Sequence, residues 1–430
     1  MPNWAARVRI GQATQLLRQG GLVLAAVSLP RLGLSPAEVG HWEGLWYVAF
    51  LLGFGWLTGL TQTYLMLVRR EPAPHAFGRR MLWMVAGLGV ILLLATGLLH
   101  TPYFALLQLP PPPAWWWFFA YLTTYWPGLL YEQILLTEGR TGRLAWFSLL
   151  SFLALLAFLA TLALGAPWET AALIMAAIGA MKLAFFLSHA PPERAPASVR
   201  PPGEILRTAL PLIAFASIGS LTTAFDPWFV NYWYEGAPGV FAQFRYGTRE
   251  LPLLSGLING ITIVALPLLT EVRTEGLAVL RTQSRRLMHW VLPGLALLLL
   301  TGRWWWPLLF TDAFLPALPL FQLYVFVIFS RLLLPVTVLT ALGHTRILPW
   351  FAALELLLNV LLSLTLAPRF GLIGIVLATV LAYAIDKLCF CWYLYRKTGI
   401  PIHYYVDLRW YFGYLVLLIC VWAGTQGQGG

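Results

Sequence analysis

The sequence predicts an all-α, polytopic membrane protein built as two six-helix lobes in parallel orientation, followed by one accessory span. Three observations predict it. Of 430 residues, 59% are hydrophobic and only 10% charged, with a mean hydropathy of +0.74, so there is too little polar surface to cover a globule in water. Apolar runs of about 20 residues, the length that crosses a bilayer, succeed one another from Leu16 to Trp422. The basic residues between these runs fall almost entirely on alternate sides.

Thirteen spans are predicted, at 12–30, 42–68, 81–104, 115–136, 144–164, 168–189, 207–234, 240–270, 287–310, 314–342, 347–367, 371–394 and 406–424. With the N-terminus in the cytoplasm, inner loops hold 20 of the 28 Lys and Arg residues and outer loops hold 3 (Arg31, Arg303 and Arg369); the other 5 lie within spans. That asymmetry fixes the orientation by the positive-inside rule. The formal charge of +11 follows from the inner loops and suits anionic headgroups. It does not form the contiguous basic face that nucleic-acid binding needs.

Taken in order, Arg7, Arg9 and Arg18 precede the first apolar run, as in a signal peptide, but without a convincing cleavage site; the run is an uncleaved first helix. Leu34-Ser35-Pro36-Ala37-Glu38-Val39-Gly40 forms the first outer turn. Trp115-Trp116-Trp117 and Trp304-Trp305-Trp306 fall at outer faces, as aromatic belts do. Pro110 to Pro113 stiffen the turn before the fourth span. Residues 190–206, with Pro191, Pro192, Pro196, Pro201 and Pro202, read as a cytoplasmic linker between an N-lobe (1–189, spans one to six) and a C-lobe (207–395, spans seven to twelve). Glu235-Gly236-Ala237-Pro238-Gly239-Val240-Phe241 echoes the first outer turn in the second lobe. Residues 396–430 supply the accessory span and a glycine-rich tail. Cys389, Cys391 and Cys420 lie in spans and build neither a disulfide framework nor a zinc site.

Charges inside the membrane are the candidate functional residues, because each costs at least about 2.5 kcal/mol there unless it meets a partner or water. Arg245 and Arg249 sit four apart in the eighth span and share a helix face. Either their two guanidinium forks hold a diphosphate or a sugar carboxylate, or one reaches the headgroups while the other pairs with Glu250 or Asp226. Asp226 precedes Pro227, at a kink in the seventh span; it either carries a coupling H+ or Na+ or neutralises Arg245. Arg331, Glu355 and Asp386 lie at similar depth in spans ten to twelve and are expected to pair with one another, as are Lys182 and Glu132 in the first lobe. Arg18 and Arg31 flank the first span, facing either an anionic substrate or the headgroups.

Enzymatic classes are excluded. The seven histidines stand singly at loops or span ends, no Walker glycine loop is present, and outer loops are too short for the acidic site of a glycan polymerase.

The turn at 34–40 resembles the "LGPEEYG" turn of oligosaccharide-lipid flippases. The stretch from Leu358-Asn359 through Ala367-Pro368-Arg369-Phe370-Gly371-Leu372-Ile373-Gly374 to Ala378-Thr379 resembles their eleventh-to-twelfth helix signature. Their superfamily, the multidrug/oligosaccharidyl-lipid/polysaccharide exporters, also holds MATE drug exporters and lipid II flippases. The resemblance implies a V-shaped pair of lobes, alternating access, and an undecaprenyl-diphosphate-linked oligosaccharide as substrate, turned to the periplasmic leaflet for O-antigen, capsule or exopolysaccharide synthesis. It implies membrane lipids, H+ or Na+, a glycan polymerase and a chain-length regulator as partners, and no enzymatic cofactor. A cation-coupled drug exporter is the second expectation and would want an acidic interior; a lipid II flippase is the third. Thirteen spans, with only Arg18 and Arg31 near the first, favour the O-antigen and capsule branch.

Overall fold

The computed structural model describes residues 4–188, 200–249, 258, 261–262, 265, 268–269 and 272–426. Every regular element among them is helical, and the protein has the polytopic all-α membrane fold. Eight described stretches are long and apolar enough to cross a bilayer, or nine if a helix pair bent by 82° counts as one span. The difference from thirteen has local causes. The first helix carries only a short apolar piece, Gly20–Arg31, the Trp- and Tyr-rich helix Trp115–Glu138 is not among the eight, one 51-residue helix contains two of the expected spans, and most of 240–270 lies outside the described residues.

Two compact units divide the chain: Met1–Ala224 with Asn231–Ala242, and Phe225–Val230 with Gln243–Gly430. The division falls inside two helices, Pro202–Trp233 and Pro238–Gly247; of the proline-rich linker, residues 189–199 lie outside the described residues.

The first unit contains α1 (Trp4–Arg31), α2 (Pro36–Leu67), α3 (Pro74–Leu98), α4 (His100–Leu106), α5 (Trp115–Glu138), α6 (Thr141–Ala163), α7 (Trp168–Ala180), α8 (Lys182–Ser188) and most of α9 (Pro202–Trp233). The motif turn before α2 is a capping box: Glu38 N–H donates to Ser35 Oγ at 3.3 Å, and Ser35 N–H donates to Glu38 Oε2 at 2.8 Å. Two otherwise unpaired helix-start donors are thereby satisfied. The two echoed outer turns touch, since a Cβ on Gly40 would collide with the Pro238 carbonyl. Each tryptophan triplet divides between two jobs. Trp116 and Trp304 are exposed as belt residues should be, whereas Trp115 and Trp306 are buried, and Trp306 donates its indole N–H to the Phe314 carbonyl at 2.8 Å.

Helix α10 (Pro238–Gly247) follows the echoed turn and enters the second unit at Gln243; there α11 (Arg273–Leu300) bends sharply into α12 (Gly302–Phe310). Short helices α13 (Leu318–Tyr324), α14 (Val327–Leu332) and α15 (Pro335–Ala341) follow, the last break set by Leu334 at φ 50° before Pro335. The long α16 (Leu348–Thr398) is two helices joined at Gly371, and α17 (Leu408–Gln426) packs on α11.

The glycine pair of the signature has a physical reason. Gly371 has φ 58° and ψ −135°, a region closed to side chains by their Cβ. A Cβ on Gly374 would collide with the Leu366 carbonyl on the facing arm. Gly371→Ala should therefore lower stability by about 1–3 kcal/mol and Gly374→Val by at least as much. Gly294→Ala, with open space around it, should be neutral. Thermal melting in detergent checks the ranking; equal midpoints for Gly371→Ala and Gly294→Ala would refute it.

Candidate functional site

The signature residues converge on one carboxylate. Asp226 sits on α9 before Pro227, within the stretch that belongs to the second unit. Asn359 Nδ2 donates to its Oδ1 at 2.6 Å and Thr379 Oγ1 donates to its Oδ2 at 2.7 Å. Ser363 Oγ, one turn below, donates to Asn359 Oδ1 at 3.4 Å. Asn359, Ser363 and Thr379 are all buried, at 3%, 0% and 4% exposure, so buried partners fix a carboxylate that is itself half-buried. Asn359 and Ser363 are four apart on the first arm of α16 and face the same way; Thr379 reaches across from the second arm, beyond Gly371. The tight approach at Gly374 brings the arms close enough for both to touch one side chain.

Among the described residues no basic side chain forms an ion pair with Asp226. The expectation that Asp226 neutralises Arg245 is thus replaced by hydrogen bonds to neutral groups. The cluster offers oxygens from a carboxylate, an amide and two hydroxyls, a hard set that fits a monovalent cation or a proton. No group of three or more His, Cys, Asp or Glu that could hold a metal ion occurs among the described residues.

Arg245 and Arg249 do not share a helix face. Helix α10 ends at Gly247; Thr248 N–H still bonds the Phe244 carbonyl at 2.8 Å, but Arg249 N–H turns back to Tyr246 at 3.4 Å. Gly247 packs so closely that a Cβ would collide with Leu320 and approach the Ala317 carbonyl to 2.8 Å. Arg249 places its guanidinium 4.9 Å from the Tyr246 ring centre. Glu250, the third charge of that segment, lies outside the described residues.

The C-terminal cluster finds its cation in a different residue from the one expected. Lys387 Nζ lies 2.6 Å from Asp386 Oδ2 and 3.9 Å from Glu355 Oε2. Asp386 is fully buried, and its other oxygen has no hydrogen-bond donor. Arg331 closes the short α14, half-buried. Its charge also acts on Glu355, so the expected pairing of Arg331 with Glu355 persists at longer range while Lys387 is the cation in direct contact.

In the first unit Glu132 pairs directly with Arg18 at 3.2 Å, and the expected partner Lys182 acts on it at longer range through its charge. Arg18 thus enters the protein interior from α1, while Arg31 ends that helix, exposed. Lys182 lies instead among three rings: Tyr121 at 5.4 Å, Tyr125 at 5.9 Å and Phe147 at 5.4 Å. The histidines are less isolated than their spacing suggested. His75 Nδ1 meets Glu138 at 2.7 Å beside Arg140 at 3.1 Å, and His289 Nδ1 meets the Tyr414 hydroxyl at 2.8 Å. Both are structural contacts at helix ends or between helices.

No family model matches the chain. No curated protein matches it either. Solved structures do. The lipid II flippase MurJ in an inward closed conformation aligns with 97% of this chain and 93% of its own, at TM-score 0.70 and 14% identity. An inward-facing MATE multidrug resistance transporter of the MOP superfamily aligns with 92% of this chain and 99% of its own, at TM-score 0.67 and 17% identity. A MOP superfamily transporter from Pyrococcus furiosus, noted for the reverse polarity of its binding pocket, aligns with 93% and 96%, at TM-score 0.59 and 17% identity. At these identities the likeness establishes the fold.

Proposed function

We propose that the protein is a flippase that carries an undecaprenyl-diphosphate-linked oligosaccharide from the cytoplasmic to the periplasmic leaflet of the bacterial inner membrane by alternating access, in surface polysaccharide synthesis. The observation that carries this reading is the fold shared along nearly the whole chain with a flippase of lipid II. Interior charge supports it: in the first unit Arg18 and Lys182 stand against the single carboxylate of Glu132, a balance suited to anionic rather than cationic cargo. Such a substrate is too large to enclose, so protein contacts are needed only for the headgroup, and the lipid tail stays in the bilayer. The N-terminus is assigned to the cytoplasm on the loop charges, with a glycan polymerase and chain-length regulator as functional partners.

Asp226 is the proposed coupling site. Its oxygen-rich surroundings take H+ or Na+, and loading that carboxylate changes the charge of a half-buried pocket formed by three helical segments, a change that can bias a conformational equilibrium. Arg245, Arg249, Arg31 and Arg331 are the proposed contacts to substrate anions. The same cation site serves the second reading, a coupled drug exporter, which the MATE structures favour.

Proteoliposomes loaded with the lipid-linked oligosaccharide test the choice. Accessibility of the sugar to an external glycosidase should rise with the protein and with an imposed cation gradient, while ethidium should not move. Ethidium efflux without sugar translocation would replace the flippase reading with the exporter. In the same assay Arg245→Gln with Arg249→Gln should slow translocation about tenfold or more, the worth of a charge-assisted contact. An unchanged rate would remove the pair as anion contacts.

A further inference from the structure

The first unit buries a cation that, among the described residues, has no hydrogen-bond acceptor. Lys182 opens α8 and is 1% exposed. Among the described residues its ammonium has no hydrogen-bond acceptor and no ion-pair partner; the faces of Tyr121, Tyr125 and Phe147 surround it at 5.4–5.9 Å. Ring faces offset part of the lost hydration, but they leave three N–H donors unmet in a low-dielectric interior. A group of this kind is normally completed by water or by an ion.

Space for one is present. A cavity of about 40 Å³ is lined by Lys182, Arg18, Glu132, Tyr125, Ser148 and Ser151, among others. Judged at 10–15 Å³ per water, it holds roughly three or four waters, enough for a small ion and too little for a sugar ring. Its charges do not balance: Glu132 is committed to Arg18 at 3.2 Å, which leaves the positive charge of Lys182 over. The Tyr121 and Tyr125 hydroxyls donate to no acceptor among the described residues, and both residues line the cavity. Arg18, whose side chain is 32% exposed, forms a rim through which an ion can enter.

We propose that this cavity binds one small monovalent anion, a halide or a single carboxylate group, held by Lys182 and Arg18. The site lies within one unit and shares no residue with the Asp226 cluster. Two sources supply that chemistry: free chloride, or an acidic group carried by the cargo.

The test is a melting titration of the full chain in detergent, at constant ionic strength, with gluconate replaced stepwise by chloride or by acetate. The expected result is a saturable rise of the melting midpoint in chloride. Lys182→Met, which keeps the chain length of the side chain but not its charge, should raise the half-saturating concentration by about tenfold or more, as loss of a charge-assisted contact does. Arg18→Gln leaves Lys182 and Glu132 to neutralise each other, and the response should disappear. An equal, chloride-competitive rise in acetate would assign the site to carboxylates; a rise in chloride alone would assign it to halides. A wild-type midpoint indifferent to both anions would overturn the proposal, and would mean that Lys182 is neutral at rest. An unaltered response in Lys182→Met would overturn it as well. Should Lys182→Met not insert, an unaltered response in Arg18→Gln decides the matter in the same way.

Discussion

Asp226→Asn should reduce glycan export to the level of cells lacking the gene while leaving the inserted protein at wild-type abundance. The asparagine keeps the shape of the side chain and one acceptor oxygen, so the contact with Thr379 or with Asn359 survives and the helices stay packed. What disappears is the charge. A proton or sodium ion then has no differential affinity for any conformation, and an equilibrium cannot be shifted by a ligand that binds its states equally. Asn359→Leu and Thr379→Val should act more weakly. Each removes one donor at 2.6–2.7 Å but leaves the carboxylate, so each should shift the cation concentration giving half-maximal transport instead of abolishing it, by about tenfold for a hydrogen bond to a charged group. The measurement is transport in proteoliposomes as a function of Na+ and of pH, normalised to reconstituted protein. Wild-type coupling in Asp226→Asn would remove this site from the mechanism and turn attention to Glu355 and Asp386.

Much of that cluster is visible along the chain, one residue at a time. Asp226 stands out as a carboxylate inside an apolar run, and Asn359, Gly371, Gly374 and Thr379 stand out through a resemblance. That they meet is not visible, because the bonds close over 133 and 153 residues and depend on which helices are neighbours. Depth in the membrane can be read from position along a span, whereas lateral packing cannot. Lys182 and Glu132 are expected to pair with each other; both are buried, yet Arg18 makes the direct ion pair with the carboxylate while rings of α5 and α6 surround the lysine. The shared face of Arg245 and Arg249 failed for a local reason: Gly247 is both the close-packing point and the helix end, and a glycine between two arginines carries no sign of which role it plays. Periodicity made a single eighth helix plausible; close contact with α13 ended it.

Lys387→Met should destabilise the second unit more than any other single change at a charged residue of this cluster. Asp386 is fully buried and bonds Lys387 at 2.6 Å; Glu355, nearly as buried, lies 3.9 Å from the same ammonium. Removing the one cation recorded against both leaves two carboxylates in a low-dielectric interior, where one oxygen of Asp386 already lacks a donor. Breaking a buried pair from one side costs about 3–5 kcal/mol, and here the loss falls on two partners. The expected readouts are a lower melting midpoint and reduced inserted protein. Neutralising a carboxylate as well should reverse much of it: Lys387→Met with Asp386→Asn should recover most of the wild-type abundance, because the asparagine needs no counter-charge and its amide supplies donors of its own. Arg331→Gln is the comparison that separates this arrangement from the pairing the sequence suggests. If Arg331 were the counter-charge of Glu355 and Asp386, its removal would cost the larger amount and the double variant at 386 and 387 would recover nothing. A melting series over the four proteins therefore decides between the two: the expected order of stability is wild type, Arg331→Gln, the double variant, then Lys387→Met, and an order with Arg331→Gln last would assign the ion pair to Arg331.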